Sequence, residues 1–548
     1  MRFIRGNRRG VPAVAGAAGI AVLLAACSGG GDGESTDEGG GEAGGALTIG
    51  TTDKVTTIDP AGSYDNGSFA VMNQVYPFLM NTPYGSPDVE PDIAESAEFT
   101  APTEYTVTLK PGLKWANGND LTASDVKFSF DRMVGIAAEN GPSSLLYNLD
   151  STEVVDDTTV VFHLKSENDQ VFPQILSSPA GPIVDEDVFS ADELTSDQEI
   201  VDGNAFAGQY TITSYNFNEL ITYEAYEGYQ GLLGPAETPE INVSYFADSS
   251  NLKLEVQQGS VDVAFRSLSS TDVEDLQGDD NVKVVEGPGG EIRYVVFNFD
   301  TQPYGAAQPE ADEDKALAVR QAVAHLIDRE AISEQVYKGT YTPLYSYVPA
   351  GLTGATESLK ELYGDGQGGP DAAAAEQALN DAGVETPVAL SLQYSNDHYG
   401  PSSGDEYALI KDQLEASGLF TVDLQTTEWV QYSEDRTADV YPAYQLGWFP
   451  DYSDADNYLT PFFLTENFLA NHYSNPAVDE LILEQSVTAD PDERTAVIEE
   501  IQDTVAQDLS TVPYLQGAQV AVVGADVTGA EDTLDASFKF RYAALAKG

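Results

Sequence analysis

Polar and apolar residues alternate along Glu104-Tyr-Thr-Val-Thr-Leu-Lys110, the two-residue period of a strand with one buried face. The same period runs through Val154 to Leu164, broken at Asp156-Asp157, and predicts a hairpin turning there. Tyr294-Val-Val-Phe-Asn-Phe299 is apolar at nearly every position and predicts a buried strand. Elsewhere the period lengthens. Ala318, Ala322, Leu326 and Ile327 fall at helical spacing within Lys315–Tyr337, which predicts one amphipathic helix or a pair. Thr488 to Leu509 predicts another, starting near Asp490-Pro491 because proline suits a first-turn position. Asp120 to Phe130 reads as a helix start. Thr122 or Ser124 is its cap and Asp125 lies in the first turn, where the helix dipole favours an anion. Strands and helices intermixed in this way predict an α/β fold, and no internal repeat is evident.

The first 46 residues depart from this pattern. Arg2, Arg5, Arg8 and Arg9 precede an apolar stretch from Val11 to Ala26, which closes on Leu24-Ala25-Ala26-Cys27. A basic head, a short apolar middle and small residues before a cut predict a secretory signal peptide over residues 1–26. Cys27, the one cysteine of the chain, then reads as a lipobox thiol that is lipidated before cleavage. A membrane-spanning anchor is the competing reading. The apolar stretch falls short of the ~20 residues a spanning helix needs, and Pro12, Gly16 and Gly19 weaken it further. The residues around Arg8-Arg9 do not support twin-arginine export. From Ser28 to Ala46 the chain is almost wholly Gly, Ser, Glu, Asp and Thr, with alanine its only apolar side chain. Such a segment cannot bury enough surface to offset its ordering entropy, so residues 27–46 are expected to be a disordered tether. Its root-mean-square span as a flexible coil is roughly 24 Å.

Composition narrows the function. A body from Leu47 to Gly548 is too long for one simple core and predicts two or three domains, with no second cysteine to staple it. The chain carries 25 basic and 90 acidic residues, a net charge of −65. Without residues 1–26, which hold four arginines and no acid, 21 basic residues face the same 90 acids. A field of that sign argues against a nucleic-acid partner and favours cationic or neutral ligands. It also suits a saline or acidic habitat, where counterions screen the self-repulsion. Enzymatic chemistry is poorly represented. The four histidines, His163, His325, His398 and His472, are widely separated and show no metal-ligand spacing such as HExxH. There is no GxSxG elbow and no phosphate-binding GxxxxGK[ST] loop. A glycosidase pair among 90 acids is kept only by inventory, since nothing singles one out. The expectation is a protein that is not an enzyme and uses neither cofactor nor metal.

Several blocks, in order, are similar to one family. They are Thr57-Ile-Asp-Pro60, Pro91-Asp-Ile-Ala-Glu-Ser96, and Lys110-Pro-Gly-Leu-Lys-Trp-Ala-Asn-Gly118 followed by Leu121-Thr-Ala-Ser-Asp-Val-Lys-Phe-Ser-Phe-Asp-Arg132. Phe297-Asn298, Val319-Arg-Gln-Ala322 and Ile327-Asp-Arg329 come next. Gly447-Trp-Phe-Pro-Asp-Tyr-Ser-Asp454 with Asn457, and Val478-Asp479, Asp490, Arg494 and Val512-Pro-Tyr514, complete the series. From about Leu47 onward the chain resembles the bacterial extracellular solute-binding proteins of family 5, receptors for oligopeptide and dipeptide importers. The resemblance implies an α/β, two-lobed receptor of periplasmic-binding-protein type, class II-like and enlarged by an extra subdomain near 121–205. Lobe I would span 47–296 with a C-terminal return over 515–548, and lobe II 297–514. Its hinge would be two crossing strands near Phe297-Asn298-Phe299 and Val512-Pro-Tyr514. It further implies a monomer that captures peptides by hinge closure. The partners would be the permease subunits of an ABC transporter, with their cytoplasmic ATPases, and the outer face of the cell membrane through a lipid at Cys27. The same fold also resembles receptors for oligosaccharides, nickel complexes, haem and opines, and peptide-sensing surface receptors, so the ligand stays open.

A peptide receptor needs a buried anion for the ammonium, backbone groups to pair an added strand, and pockets for side chains. Asp451 matches the family position whose carboxylate takes the peptide α-ammonium. Gly447 to Phe449 match the segment that pairs with the ligand backbone, with glycine permitting close approach, and Trp448 would wall a side-chain pocket. Tyr452 beside Asp451, and Asn298 and Tyr514 on the proposed hinge strands, complete the candidate set. A tight turn with a solvated Asp451 is the plain alternative, and strand packing is the plain alternative for Asn298 and Tyr514. Tyr64, Asp65 and Asn66 read as a cleft loop or, preferably, a surface turn. Trp429 packs in the core or edges the cleft. Arg132, Arg320 and Arg329 match structural positions and are expected in intramolecular pairs.

Overall fold

The computed structural model describes residues 45–548 except Pro401 and Phe538. Cys27, the signal peptide and nearly all of the tether lie outside the described residues. Local chemistry sets most element boundaries as expected. Thr122 caps the helix Ala123–Ile136 in a reciprocal box with Asp125, satisfying two backbone donors that the helix cannot pair itself. Asp490 caps Pro491–Asp508, with proline in the first turn. The strands Leu149–Asp156 and Thr159–Leu164 form the hairpin around Asp157. Lys315–Tyr337 is a pair of helices, Glu313–Leu326 and Arg329–Gln335, because the Asp328 side chain caps the second one on Ala331.

Two large cores hold these elements. One gathers Leu47, Ile49, Val71, Tyr210, Tyr223, Ile241 and Val263 with the late residues Ala521, Val523, Phe540 and Leu545. The other gathers Ile292–Phe297, the helices and strands between them and Phe463, and Val505, Val512 and Leu515. A satellite core lies under the four-stranded antiparallel sheet Ala94–Ala101, Glu104–Leu109, Thr159–Leu164 and Leu149–Asp156. It draws in residues from Leu79 to Ala207, so this subdomain begins well ahead of Leu121.

Two long strands, Val282–Phe297 and Thr511–Gly524, pair antiparallel from Val282 opposite Gly524 to Val296 opposite Thr511. They sit at the centre of a sheet that reaches Phe420–Thr427 on one side and Tyr210–Asn216 on the other. Val282 and Val522 pack with Leu252 and Leu276, whereas Ile292, Tyr294, Tyr514 and Leu515 belong to the second large core. The strands therefore pass between cores near Pro288–Ile292 and Gln516–Ala518, where the register is irregular. That lies several residues from Phe297 and Val512–Tyr514, where the sequence placed the crossing. A Cβ on Gly289 would fall 2.1 Å from the Gly517 carbonyl oxygen, so glycine is what lets the two backbones touch here.

The three arginines read as structural are all buried. Arg132 Nη1 and Nη2 donate to the two Asp59 carboxylate oxygens at 2.8 and 2.6 Å, and its other donors reach the carbonyls of Ser190 and Glu193. Arg320 and Arg329 instead donate to carbonyl oxygens, of Asp508 and of Leu344 and Pro513, with Arg320 also reaching Gln302 Oε1.

Candidate ligand-binding site

The strand Ala443–Trp448 pairs antiparallel with the second half of Val282–Phe297, setting Gly447 opposite Arg293 and Trp448 opposite Ile292. The chain leaves the sheet at Phe449-Pro450 and turns at Asp451. Asn457, in the next helix, fixes that turn from three directions. Its Oδ1 accepts from the Trp448 Nε1 and from the Asp451 backbone N–H, both at 2.9 Å, and its Nδ2 donates to Asp451 Oδ2 at 3.1 Å. The Tyr64 hydroxyl donates to Asp451 Oδ1. Burial pushes the Asp451 carboxyl above the ordinary carboxylate range, and the hydrogen bonds from Tyr64 and Asn457 only partly counter it.

Asp451 faces a cavity of about 620 Å³ lined by Gly447–Phe449, Trp429, Tyr399 and Phe468, with Tyr64, Asn66 and Phe69 opposite. Its walls are largely aromatic. Asp65 also lies on this wall, but its oxygens accept from Thr56, Ser63 and Ser68, capping the helix Asn66–Val75. Asp451 therefore offers the wall's more available carboxylate. A second cavity of about 680 Å³ shares His398, Tyr399 and Phe449 with the first. Its lining is more polar, with Asp53, Arg266, Glu291 and Arg293. His398 stacks flat on Trp429 at 3.6 Å, and burial, with the Arg293 charge, holds its pKa down to about 4. It is therefore neutral across the physiological range.

Of the residues singled out from sequence, Gly447, Trp448, Phe449 and Asp451 come together in the first cavity, joined by Trp429, Tyr64 and Asn66. Tyr64 thus lies in the cleft rather than in a plain surface turn. Tyr452, Asn298 and Tyr514 do not line it and leave the candidate set. Tyr452 is buried in the satellite core with its hydroxyl on Asp456 at 2.9 Å. Asn298 is 0 % exposed and ties Asp439 to the backbone of Asp300 and Thr301. Tyr514 is 0 % exposed, with its hydroxyl facing that of Tyr407. Sequence reasoning missed the roles of Asn457, His398, Tyr399 and Arg293. Asn457 stood in the family block without a role assigned to it, and Arg293 left a signal as a charge placed in a run otherwise buried.

Gly447 has a direct steric role. A Cβ there would lie 2.9 Å from Cε1 of Tyr399 and 3.2 Å from the Ile292 carbonyl oxygen. Gly447→Val is expected to push the Tyr399 ring into the space shared by both cavities. Such overpacking costs ~1–3 kcal/mol of stability. Ligand affinity should fall with it, as read by calorimetry beside a urea melt, and unchanged affinity would place the ligand elsewhere.

A mixed α/β chain with two cores, two strands passing between them and a cavity lined from both sides is a two-domain binding protein of the periplasmic type. The model of the bacterial extracellular solute-binding proteins, family 5 (middle region), matches residues 88–469, and the chain belongs to that family, whose members serve ABC importers. It is 25 % identical over 507 residues to the glutathione-binding protein GsiB of Escherichia coli strain K12, covering 89 % of this chain and 92 % of that one. Among solved structures, the ABC transporter substrate-binding protein CtaP of Listeria monocytogenes is similar with a TM-score of 0.76 at 23 % identity, covering 92 % of this chain and all of that one. DppA of Helicobacter pylori, in complex with the peptide STSA, gives 0.70 at 20 % identity, covering 92 % and 98 %. These relatives are substrate-binding proteins rather than enzymes. Among the described residues no helix is long and apolar enough to cross a membrane, and no three His, Cys, Asp or Glu side chains are grouped to hold a metal ion.

Proposed function

We propose that this protein captures short peptides outside the cytoplasm and delivers them to the permease of an ABC importer, with Asp451 holding the peptide α-ammonium. The observation that carries the reading is a carboxylate set by Tyr64 and Asn457 in the wall of a cavity rich in aromatic rings. Such a cavity suits a ligand with one cationic end and variable side chains. Gly447 and Phe449 line the same wall for the peptide backbone, and Trp448, Trp429 and Phe468 for side chains. Relatives whose names carry glutathione or a bound peptide support the ligand class.

The two lobes move, in this reading, about the passage of the paired strands near Pro288–Ile292 and Gln516–Ala518. A lipid on Cys27 holds the receptor, a monomer, at the outer face of the membrane, and residues 28–46 space it from the surface. Native mass spectrometry of ligand carried through purification tests the reading. Short peptides bearing a free amine are expected. An oligosaccharide, an opine or a metal chelate as the retained species would replace it.

A further inference from the structure

Asp451 and Tyr452 are neighbours whose side chains part. The carboxylate faces the first cavity, and the ring enters the satellite core under the four-stranded sheet. That core is otherwise built from residues between Leu79 and Ala207. They are fastened to the side of the first large core by the Arg132–Asp59 pair and by the Ala116 N–H on the Phe206 carbonyl. Tyr452 arrives from the other side, since Ala455, Tyr458 and Leu459 just beyond it pack in the second large core. One ring thus joins two bodies.

Its pose is set from behind. Asp456 accepts from the Tyr452 hydroxyl at 2.9 Å, and from Thr460 and Gln485. Asn457 holds Asp451 in the same manner, so the turn is mounted firmly on the helix Asp456–Phe463. A second contact crosses nearby, from the Gln170 N–H to the Ser486 carbonyl at 2.8 Å. Ser486 lies in the last turn of the helix Pro476–Val487, where carbonyls lack partners within the helix. The seam is otherwise loose. A cavity of about 290 Å³ lies between Gln170, Pro173 and Gln174 on one side and Ser453, Asp454 and Arg494 on the other. Acids outnumber bases on both sides of the chain, so drawing the lobes together works against like charge. A ring leaving water gains stability without regard to that charge.

We propose that Tyr452 is a latch between the lobes, with the satellite subdomain as its socket, so that closure is held in part by the chain's own residues and not by ligand alone. This rests on the lobe motion proposed above and not on the ligand's identity. Parting the lobes would withdraw the ring and break the Gln170–Ser486 bond, while bonds within the subdomain stay whole.

The test is hydrogen exchange at single-residue resolution on the full chain. Asn168, whose N–H bonds the Pro102 carbonyl inside the subdomain, is the reference. In wild type, Gln170 should be at least about tenfold less protected than Asn168, since lobes part more readily than the subdomain unfolds. A bound peptide should raise the protection of Gln170. In Tyr452→Ala, Gln170 should lose about a further tenfold with Asn168 unmoved, whereas Tyr452→Phe, which keeps the ring, should stay within about threefold of wild type. Calorimetry should find every peptide weakened by one common factor in Tyr452→Ala, because only the closed fraction has changed.

Equal protection of Gln170 and Asn168 in wild type removes the lobe motion and the latch together. A less protected Gln170 that Tyr452→Ala leaves unmoved, or that a bound peptide does not slow, removes the latch alone. Loss of protection at both residues in Tyr452→Ala makes the ring an ordinary part of the satellite core and also overturns the proposal. Should Tyr452→Ala not fold, Tyr452→Leu, which keeps an apolar side chain in the socket but cannot reach Asp456, is read on the same terms. The comparison of Gln170 with Asn168 needs no ligand, so it stands whatever becomes of the peptide reading.

Discussion

Asp451→Asn should cost this protein about 1.5–3.5 decades of affinity for a free-amine peptide while making the unliganded fold more stable at neutral pH. The loss follows from leaving a desolvated ammonium without its partner, ~2–5 kcal/mol. The gain has a separate origin. Burial raises the folded-state pKa of Asp451 above its unfolded value. The stability owed to this group is therefore fully present below the unfolded pKa and is lost as pH rises through the folded one. At pH 7 the ionised carboxylate is a burden that asparagine removes. The geometry tolerates the change. The new Oδ1 can accept from Asn457 Nδ2, and the Tyr64 hydroxyl, able to donate or accept, can turn to receive the amide. Calorimetry and thermal melts on the same samples check both halves. Wild-type affinity should also fall on acidification sooner than an ordinary carboxylate would cause, and the variant should lack that fall. A variant that binds as tightly as wild type removes Asp451 from the site.

Asp59→Ala should destabilise the protein by about 3–5 kcal/mol without altering ligand preference. Both Asp59 oxygens are used twice, by Arg132 and by the backbone N–H groups of Ala61 and Thr195. The side chains of the pair are 2 % and 0 % exposed, so removing the acid strands a buried guanidinium. Asp59→Ala/Arg132→Met should recover part of the loss, since the stranded charge, more than the lost attraction, sets the cost. The urea midpoints of the three proteins decide it. A midpoint unchanged in Asp59→Ala would mean that water reaches Arg132.

These two sites were unequally legible in the sequence. Features written within a few residues could be read directly. Thr122 with Asp125, Asp490-Pro491 and the Asp156-Asp157 turn are local chemistry, and Gly447 to Asp451 is one contiguous segment. The strand crossing was misplaced because Gly287-Pro-Gly-Gly290 carries the composition of a turn, yet the strand runs through it, with Gly287 opposite Gln519 and Pro288 opposite Ala518. Tyr64 stands 387 residues from Asp451, and the stacking of His398 on Trp429 depends on the packing of separate elements. No local pattern encodes such meetings. Asn298 and Tyr514 looked like cleft residues because they lie on or beside the crossing strands, but the turn after Phe297 holds the Asn298 side chain inward on Asp439 and the Tyr514 side chain points into packed interior.

The first large core is built from residues 47–263 and completed by residues 521–545. A ribosome delivers those pieces at opposite ends of synthesis. Until Ala521–Val523 are made, the Val263–Phe265 strand lacks its antiparallel neighbour, and Tyr223 lacks the ring of Tyr542. The half of the molecule made first is thus the last to finish folding, and a nascent chain stopped near Gly517 would hold a second core nearly complete beside an unfinished first.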